Sequence, residues 1–279
     1  MISEFHYQVS WRAQGAHPGN HLGLQTGGGY EFSGCAPLMD YPDPRNLDVR
    51  ATLADPFGEL KVRSFRQRAS IPVYLLADLS ASMGFQGQVQ KTALLASISV
   101  AAAYSAYRTG DPFGLIACDS RIRWELSLPL RWRKGMAMEL HERLANFQPN
   151  ASSARGLLEA VPYIGKRRAL VFLVSDFHFP LAEVEQIFGA LLHHDLVPVV
   201  VWDSAEFERL PAWGLMELQD PETGKRRSLF LRPSLRNKLR ERFAERREEL
   251  TRLCAHYGRE PFFVVDRFDP DAMTGYFYQ

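Results

Sequence analysis

One short stretch, YLLADLSASMGF (residues 74–85), concentrates the residues best suited to chemistry. An apolar run ends in Asp78, and Ser80 and Ser82 follow at alternate positions. Alternate residues of an extended segment face the same way, so one carboxylate and two hydroxyls can converge on a point. That is a hard, all-oxygen donor set, suited to magnesium or manganese with waters completing an octahedron. A second carboxylate, Asp176 in LVSDF, closes another apolar run and would balance the charge if the two runs are neighbouring strands. Two other readings of the serines stand beside this one. Serines after a strand can cap the next helix. A catalytic serine needs a base and a sharp elbow, whereas no G-x-S-x-G is present and no histidine is placed as base. His178, two residues past Asp176, is a candidate for the rim of the site. His193 and His194 are adjacent in LLHHD, would face apart on a helix, and are read as surface residues.

The elements that position these residues follow from periodicity. IPVYLLAD (71–78), RALVFLVSD (168–176), LVPVVVWD (196–203) and PFFVVD (261–266) read as buried strands closed by aspartates, Asp78, Asp176 and Asp203 among them. Residues 112–120 and 121–128 read as two strands joined by a tight turn. Helices are expected over 88–110, 134–147, 153–164, 181–194 and 234–258, the first apolar on most faces and the last carrying an apolar stripe capped by Gly258. MELQDPETGKRRSLFL (216–231) reads as a hairpin around PETGK. Near-continuous apolar strands alternating with helices predict a doubly wound α/β domain with a mostly parallel sheet over residues 71–279. Residues 1–70 are rich in turn formers and read as a β/loop segment packing on that domain, with LKVRSF (60–65) as an edge strand.

Composition narrows the function classes. Across 279 residues, 46% hydrophobic and 23% charged content suits a globular chain with a real core. A net charge of +1 supplies no global field toward nucleic acid or acidic membranes. Basic clusters at 63–68, 131–134, 165–168 and 224–227 are balanced by acidic residues and read as solvated faces, so no nucleic-acid partner is expected. Trp132 and Trp213 fall in expected loops and read as packing residues. The cysteines Cys35, Cys118 and Cys254 are an odd, scattered set, which points to a reducing compartment. The N-terminal MISEFHYQVSWRAQG has no basic start followed by an apolar core, so no signal peptide is expected, and the most apolar stretch (93–107) is too short and too rich in alanine and serine to span a bilayer. A cytoplasmic protein without membrane insertion is therefore expected.

The pattern D-x-S-x-S after a first core strand, with an aspartate ending a later one, resembles the metal-ion-dependent adhesion site of von Willebrand factor A domains. That resemblance implies a threonine at the start of an intervening helix, in PNASSARGLL, where this chain offers Ser152, with Ser153 as the alternative. Serine replaces threonine there, and Asn150 and Ala151 replace the usual glycines. The segments EF (31–32), DPRNLDVRATLADPFGELKVRSFRQ (43–67), LLADLSASMGF and FLVSDF resemble a bacterial family of von Willebrand factor A-like proteins encoded beside MoxR-type AAA+ ATPases. Asp43, Pro44, Arg45, Leu47, Asp48, Arg63 and Phe65 match its upstream block, while Val49 stands where the family has tryptophan. The resemblance implies a soluble-branch, non-enzymatic adaptor that recruits an AAA+ ATPase and a client protein through a bound Mg2+ (or Mn2+ or Ca2+), held by Asp78, Ser80, Ser82, Ser152 and Asp176. One soluble branch of that family accompanies methanol dehydrogenase maturation genes, which makes such an enzyme a candidate client. A metal-assisted hydrolase is the competing class; no G-x-x-x-x-G-K-[ST] loop or general base supports it.

Overall fold

The computed structural model describes residues 4–13, 18–27, 31–85, 87–145, 147–149, 151, 153–208, 214–219, 226–231 and 233–278. The chain divides into two compact units.

The smaller unit comprises residues 8–71 and 109–111. It holds strands β1 (Pro18–Gly27) and β2 (Glu31–Pro37), the short helix α1 (Val49–Ala54) and strand β3 (Lys61–Ala69). The strands form an antiparallel sheet in the order β1-β3-β2. The strand expected at an edge from LKVRSF is thus the central one. Alternation of Val62 and Ser64 with Arg63 reports a buried face, but it is blind to whether the backbone is paired on one side or two. Asp43 and Asp48 act as local caps: Asp48 accepts from the Ala51 N–H (3.0 Å) and from Arg63 Nε (2.8 Å), and Asp43 accepts from Arg45 Nε (2.9 Å).

The larger unit takes the rest of the chain. In order it runs β4 (Val73–Asp78), α2 (Lys91–Thr109), β5 (Phe113–Cys118), β6 (Leu128–Arg131), α3 (Met136–Ala145), α4 (Gly156–Ile164), β7 (Leu170–Ser175), α5 (Leu181–Ala190), β8 (Asp195–Trp202), β9 (Gly214–Gln219), β10 (Arg226–Leu231), α6 (Pro233–His256), β11 (Phe262–Val265) and α7 (Pro270–Phe277). The central sheet has the order β11-β8-β7-β4-β5-β6, parallel except for β6. β9 and β10 pair as a separate antiparallel hairpin; its PETGK connection and Trp213 lie outside the described residues. Among the described residues no helix is long and apolar enough to cross a membrane.

Every residue of β4, β5 and β7 is buried, as expected of strands covered on both faces. One face packs Leu76, Leu173 and Trp202 against Leu157, Val184, Phe188 and Leu250 of α4, α5 and α6. On the other, Phe172 meets the rings of Phe5 and Phe277, and α2 buries eleven of its residues. The structure corrects two expectations. Residues 121–128 do not form a strand: Asp119 accepts from the Arg121 N–H (3.1 Å) and Arg123 Nε (2.5 Å), which curls the chain, and the partner of β5 is the shorter Leu128–Arg131. His194 is buried rather than exposed, because α5 ends at Ala190 and the following turn tucks it inward, while His193 stays outside and meets the Lys166 carbonyl (3.0 Å).

Candidate metal centre

β4 is the first strand of the central sheet in sequence. The chain leaves it toward β5 on one side and later returns to β7 on the other. The strand order therefore reverses between β4 and β7, and a crevice opens beyond their carboxyl ends. Asp78 and Asp176 stand at those two ends, both fully buried.

Beyond Asp78 the chain makes a single 3-10 turn, Ala81–Gly84, instead of entering a helix directly. Ser80 holds the cap position of that turn without a side-chain capping bond, and α2 begins only at Lys91. The capping reading of the two serines therefore does not hold. Ser80 Oγ lies 3.2 Å from Ser82 Oγ, and Ser82 donates to Asp176 Oδ1 at 3.1 Å. Asp78 Oδ1 accepts the Ser80 N–H (2.8 Å) and its Oδ2 accepts the Ser175 hydroxyl (2.5 Å). The loop before α4 lies alongside, since the Ala81 N–H donates to the Ala151 carbonyl at 2.8 Å. Ser152 itself lies outside the described residues. Ser153 Oγ accepts the N–H of Arg155 (3.2 Å) and so serves its own turn.

Three participants were not signalled by the motif. Lys91, fully buried at the start of α2, donates to Asp176 Oδ2 (2.9 Å) and Glu206 Oε1 (2.7 Å). Ser175 anchors Asp78 as described above. Glu206 closes a capping box with Asp203 after β8. A faint signal existed for Lys91: a cation in the first turn opposes the helix dipole, and this helix has no acid there to offset it. Asp203, the third strand-end aspartate, takes a different role. It accepts the backbone N–H groups of Gly87, Gln88, Val89 and Ala205 at 2.8–3.2 Å, fixing the segment that leads into α2. A Cβ on Gly87 would fall 2.6 Å from Asp203 Oδ2, so only glycine allows this approach.

His178 sits at the rim. Its Nε2 is 3.4 Å from Glu206 Oε1 and 4.0 Å from Asp176 Oδ2, and its ring lies parallel to that of Trp202. Arg246 of α6 donates to the Phe177 carbonyl (2.7 Å) and to that of Phe179, holding a loop in which Phe177 has φ +54°. An open pocket of ≈ 470 Å³ continues outward from His178, lined by Phe179, Arg242, Glu245, Arg246 and Glu249.

The electrostatics divide the two aspartates. Burial and the charge of Asp176 push the Asp78 carboxyl up to about 6, against the pull of its Ser175 and Ser80 donors. Burial acts the same way on Asp176, but the Lys91 ammonium and His178 outweigh it and hold that carboxyl below its ordinary value. Lys91 is held above its ordinary value because Asp176 and Glu206 outweigh its own burial. Lys91 pairs with Asp176 and Glu206 while Asp78 meets only neutral donors, so the carboxylates outnumber the ammonium and leave an excess of negative charge. A divalent cation would neutralise that excess, and the nearby donors are all oxygens, so the residues fit a hard metal ion. Among the described residues no three His, Cys, Asp or Glu side chains converge as ligands, so the set depends on hydroxyls as well as on Asp78 and Asp176.

The fold and site thus define a mixed α/β protein with an oxygen-lined, negatively charged crevice at its topological switch point. Residues 43–249 match the family described as Protein of unknown function DUF58, and the chain belongs to that family. An uncharacterized protein of Mycobacterium tuberculosis, Rv1480, is 25% identical over 248 residues, covering 88% of this chain and 77% of the relative. An uncharacterized protein in the moxR 3' region of Paracoccus denitrificans is 33% identical over 99 residues, 36% of this chain and 94% of the relative. Among solved structures, the conserved hypothetical protein BatB from Bacteroides thetaiotaomicron aligns with a TM-score of 0.44 and 12% identity over 71% of this chain and 92% of that one.

Proposed function

We propose that this protein is a non-enzymatic, metal-dependent adaptor that docks a client protein and works with a MoxR-type AAA+ ATPase. The observation that carries the reading is the convergence of Asp78, Ser80, Ser82 and Asp176 at the switch point, where carboxylates outnumber the one buried ammonium. The strand order, with β4 central and β6 antiparallel at the edge, supports a von Willebrand factor A-like assignment. The relative in a moxR 3' region supports the ATPase as partner, and a client such as methanol dehydrogenase follows from the resemblance alone.

In this reading Asp78, Ser80, Ser82 and Asp176 hold Mg2+ or a similar hard cation, with Ser152 as the further hydroxyl. The ion, when bound, supplies a Lewis-acidic position that accepts a carboxylate from a partner protein. The chain's own residues do the rest. Ser175 orients Asp78, Lys91 keeps Asp176 ionised, and Arg246 fixes the loop that carries His178. The adjoining pocket, lined by arginines and glutamates, suits a polar protein surface better than a small apolar substrate.

The test is calorimetric titration of Mg2+ and Mn2+ into the wild type and Asp78→Asn, followed by pull-down of a MoxR-type AAA+ ATPase, with and without EDTA. Metal binding that is lost in the variant, with complex formation that follows the metal, upholds the adaptor. A complex indifferent to EDTA and to the variant refutes metal dependence.

A further inference from the structure

We infer that Lys91 is a built-in counter-cation that keeps the crevice assembled without an ion and weakens its grip on one. The inference rests on the metal-binding reading above and extends it to a residue outside the ligand set.

The geometry sets up the competition. Asp176 is shared by its two oxygens: Oδ1 faces Ser82 at 3.1 Å, on the side of the candidate ligands, and Oδ2 faces Lys91 at 2.9 Å. The ammonium also bonds Glu206 at 2.7 Å and approaches the Ser82 carbonyl at 3.5 Å, so it touches the backbone of one candidate ligand and the carboxylate of another. Its side chain is fully buried, with the Phe85 ring 5.6 Å from the nitrogen. A lysine is seldom buried without a paired charge, and here the charge it meets belongs to the candidate site. It offsets one of the three carboxylates, which lowers the cost of burying them when no metal is bound. The same positive charge repels an incoming divalent ion across a partly desolvated space. Stability without metal and affinity for metal are therefore set against each other through one residue.

Glu206 shows how the balance is tuned. It lies outside the oxygen set but binds the same ammonium, and it draws part of the lysine's charge away from Asp176. Its other oxygen accepts the Asp203 N–H at 3.2 Å, so the D-x-x-E capping box fixes where that charge stands. Replacing Lys91 removes the repulsion; replacing Glu206 by glutamine keeps one carbonyl acceptor, which can serve Lys91, gives up the acceptor for the Asp203 N–H and removes one negative charge. The two changes must move metal affinity in opposite directions.

The experiment compares wild type, Lys91→Gln and Glu206→Gln by Mg2+ titration calorimetry and by thermal melts in EDTA and in Mg2+. Lys91→Gln is expected to bind Mg2+ about tenfold or more tighter than wild type. Its melting temperature in EDTA is expected to fall by about 6 °C or more, most of it restored by Mg2+. Glu206→Gln is expected to bind several-fold more weakly, and it carries the test if Lys91→Gln does not fold. A wild type that binds Mg2+ beside a Lys91→Gln variant that binds no tighter overturns the inference and leaves the metal reading intact. A silent wild type beside a binding Lys91→Gln upholds the inference and removes metal from the native protein's function. Silence in all three proteins overturns both. If Lys91→Gln does not fold and Glu206→Gln matches the wild type, the inference falls.

Discussion

Asparagine at position 78 should make the metal-free protein more stable at neutral pH while destroying its metal site. Asp78 is fully buried and accepts only neutral donors, the Ser80 N–H and the Ser175 hydroxyl. Raising its carboxyl from the ordinary 3.8 to about 6 makes the ionised form about 3 kcal/mol less favourable in the folded protein than in the unfolded chain. The sign follows from proton binding. Between pH 3.8 and about 6 the folded state holds the proton more tightly, so the contribution of Asp78 is intact below 3.8 and is lost as pH rises through about 6. An Asp78→Asn side chain keeps the acceptor for Ser80 and carries no charge, and Ser175 can turn to accept from its amide. In EDTA the variant should therefore match the wild type near pH 4 and exceed it by about 2–3 kcal/mol near pH 7.5, read from urea midpoints at each pH. Millimolar Mg2+ should reverse the order at neutral pH, because only the wild type gains from binding. A stability gap that does not change with pH, or a variant weaker than the wild type at neutral pH in EDTA, would refute the placement of an uncompensated charge on Asp78.

The remaining predictions concern the surroundings of the site. Arg246→Ala leaves the Phe177 and Phe179 carbonyls without their donor, and should cost about 1–3 kcal/mol in urea unfolding and weaken Mg2+ binding, since the freed loop carries His178 and follows Asp176. Unchanged stability would show that α6 does not hold that loop. Cys35 is exposed, whereas Cys118 and Cys254 are buried and their thiols are pushed up by burial, that of Cys254 to about 12. A thiol-specific disulfide reagent should label Cys35 rapidly in the native protein and the other two only in denaturant. His194 is buried and its pKa is lowered by burial and by the charges of His193 and Arg168, so the folded state binds fewer protons than the unfolded chain and stability should fall as pH drops through 6.5. His194→Leu should flatten that acid limb in melts between about pH 7 and pH 5.

The parts of this fold that hold the site were legible in the sequence, for a physical reason. A strand buried on both faces shows up as an unbroken apolar run, and VYLLAD and LVFLVS end where the crevice begins. Asp78 and Asp176 follow from that alone. The errors came where side-chain pattern and backbone pairing part company. RIRWELSL alternates like a strand, but Asp119 collects the Arg121 N–H and the Arg123 guanidinium and turns the chain, and the true partner, LPLR, is too short to show a period. β3 alternates just as an edge strand does and is paired on both sides. Lys91 and Glu206 escaped for another reason: their ion pair links positions 115 apart, and no local periodicity records a contact of that span.

Three aspartates end three adjacent parallel strands, and by sequence they are equivalent. The structure gives each a different partner. Asp203 is satisfied by four backbone N–H groups and becomes a joint between β8 and the segment entering α2. Asp176 is half committed: one oxygen belongs to Lys91, while the other meets the Ser82 hydroxyl and the His178 N–H. Asp78 has hydrogen bonds but no opposite charge. A carboxylate held by amides needs nothing more, and one held by an ammonium is already neutralised, whereas one held only by neutral donors still lacks a cation or a proton. Position at a strand end offers each aspartate the crevice, but the partner decides what remains to be bound there. The reactive face of the site is therefore narrower than the motif suggests. It lies among Asp78, the two serine hydroxyls and Oδ1 of Asp176, and its affinity is governed from behind by Lys91.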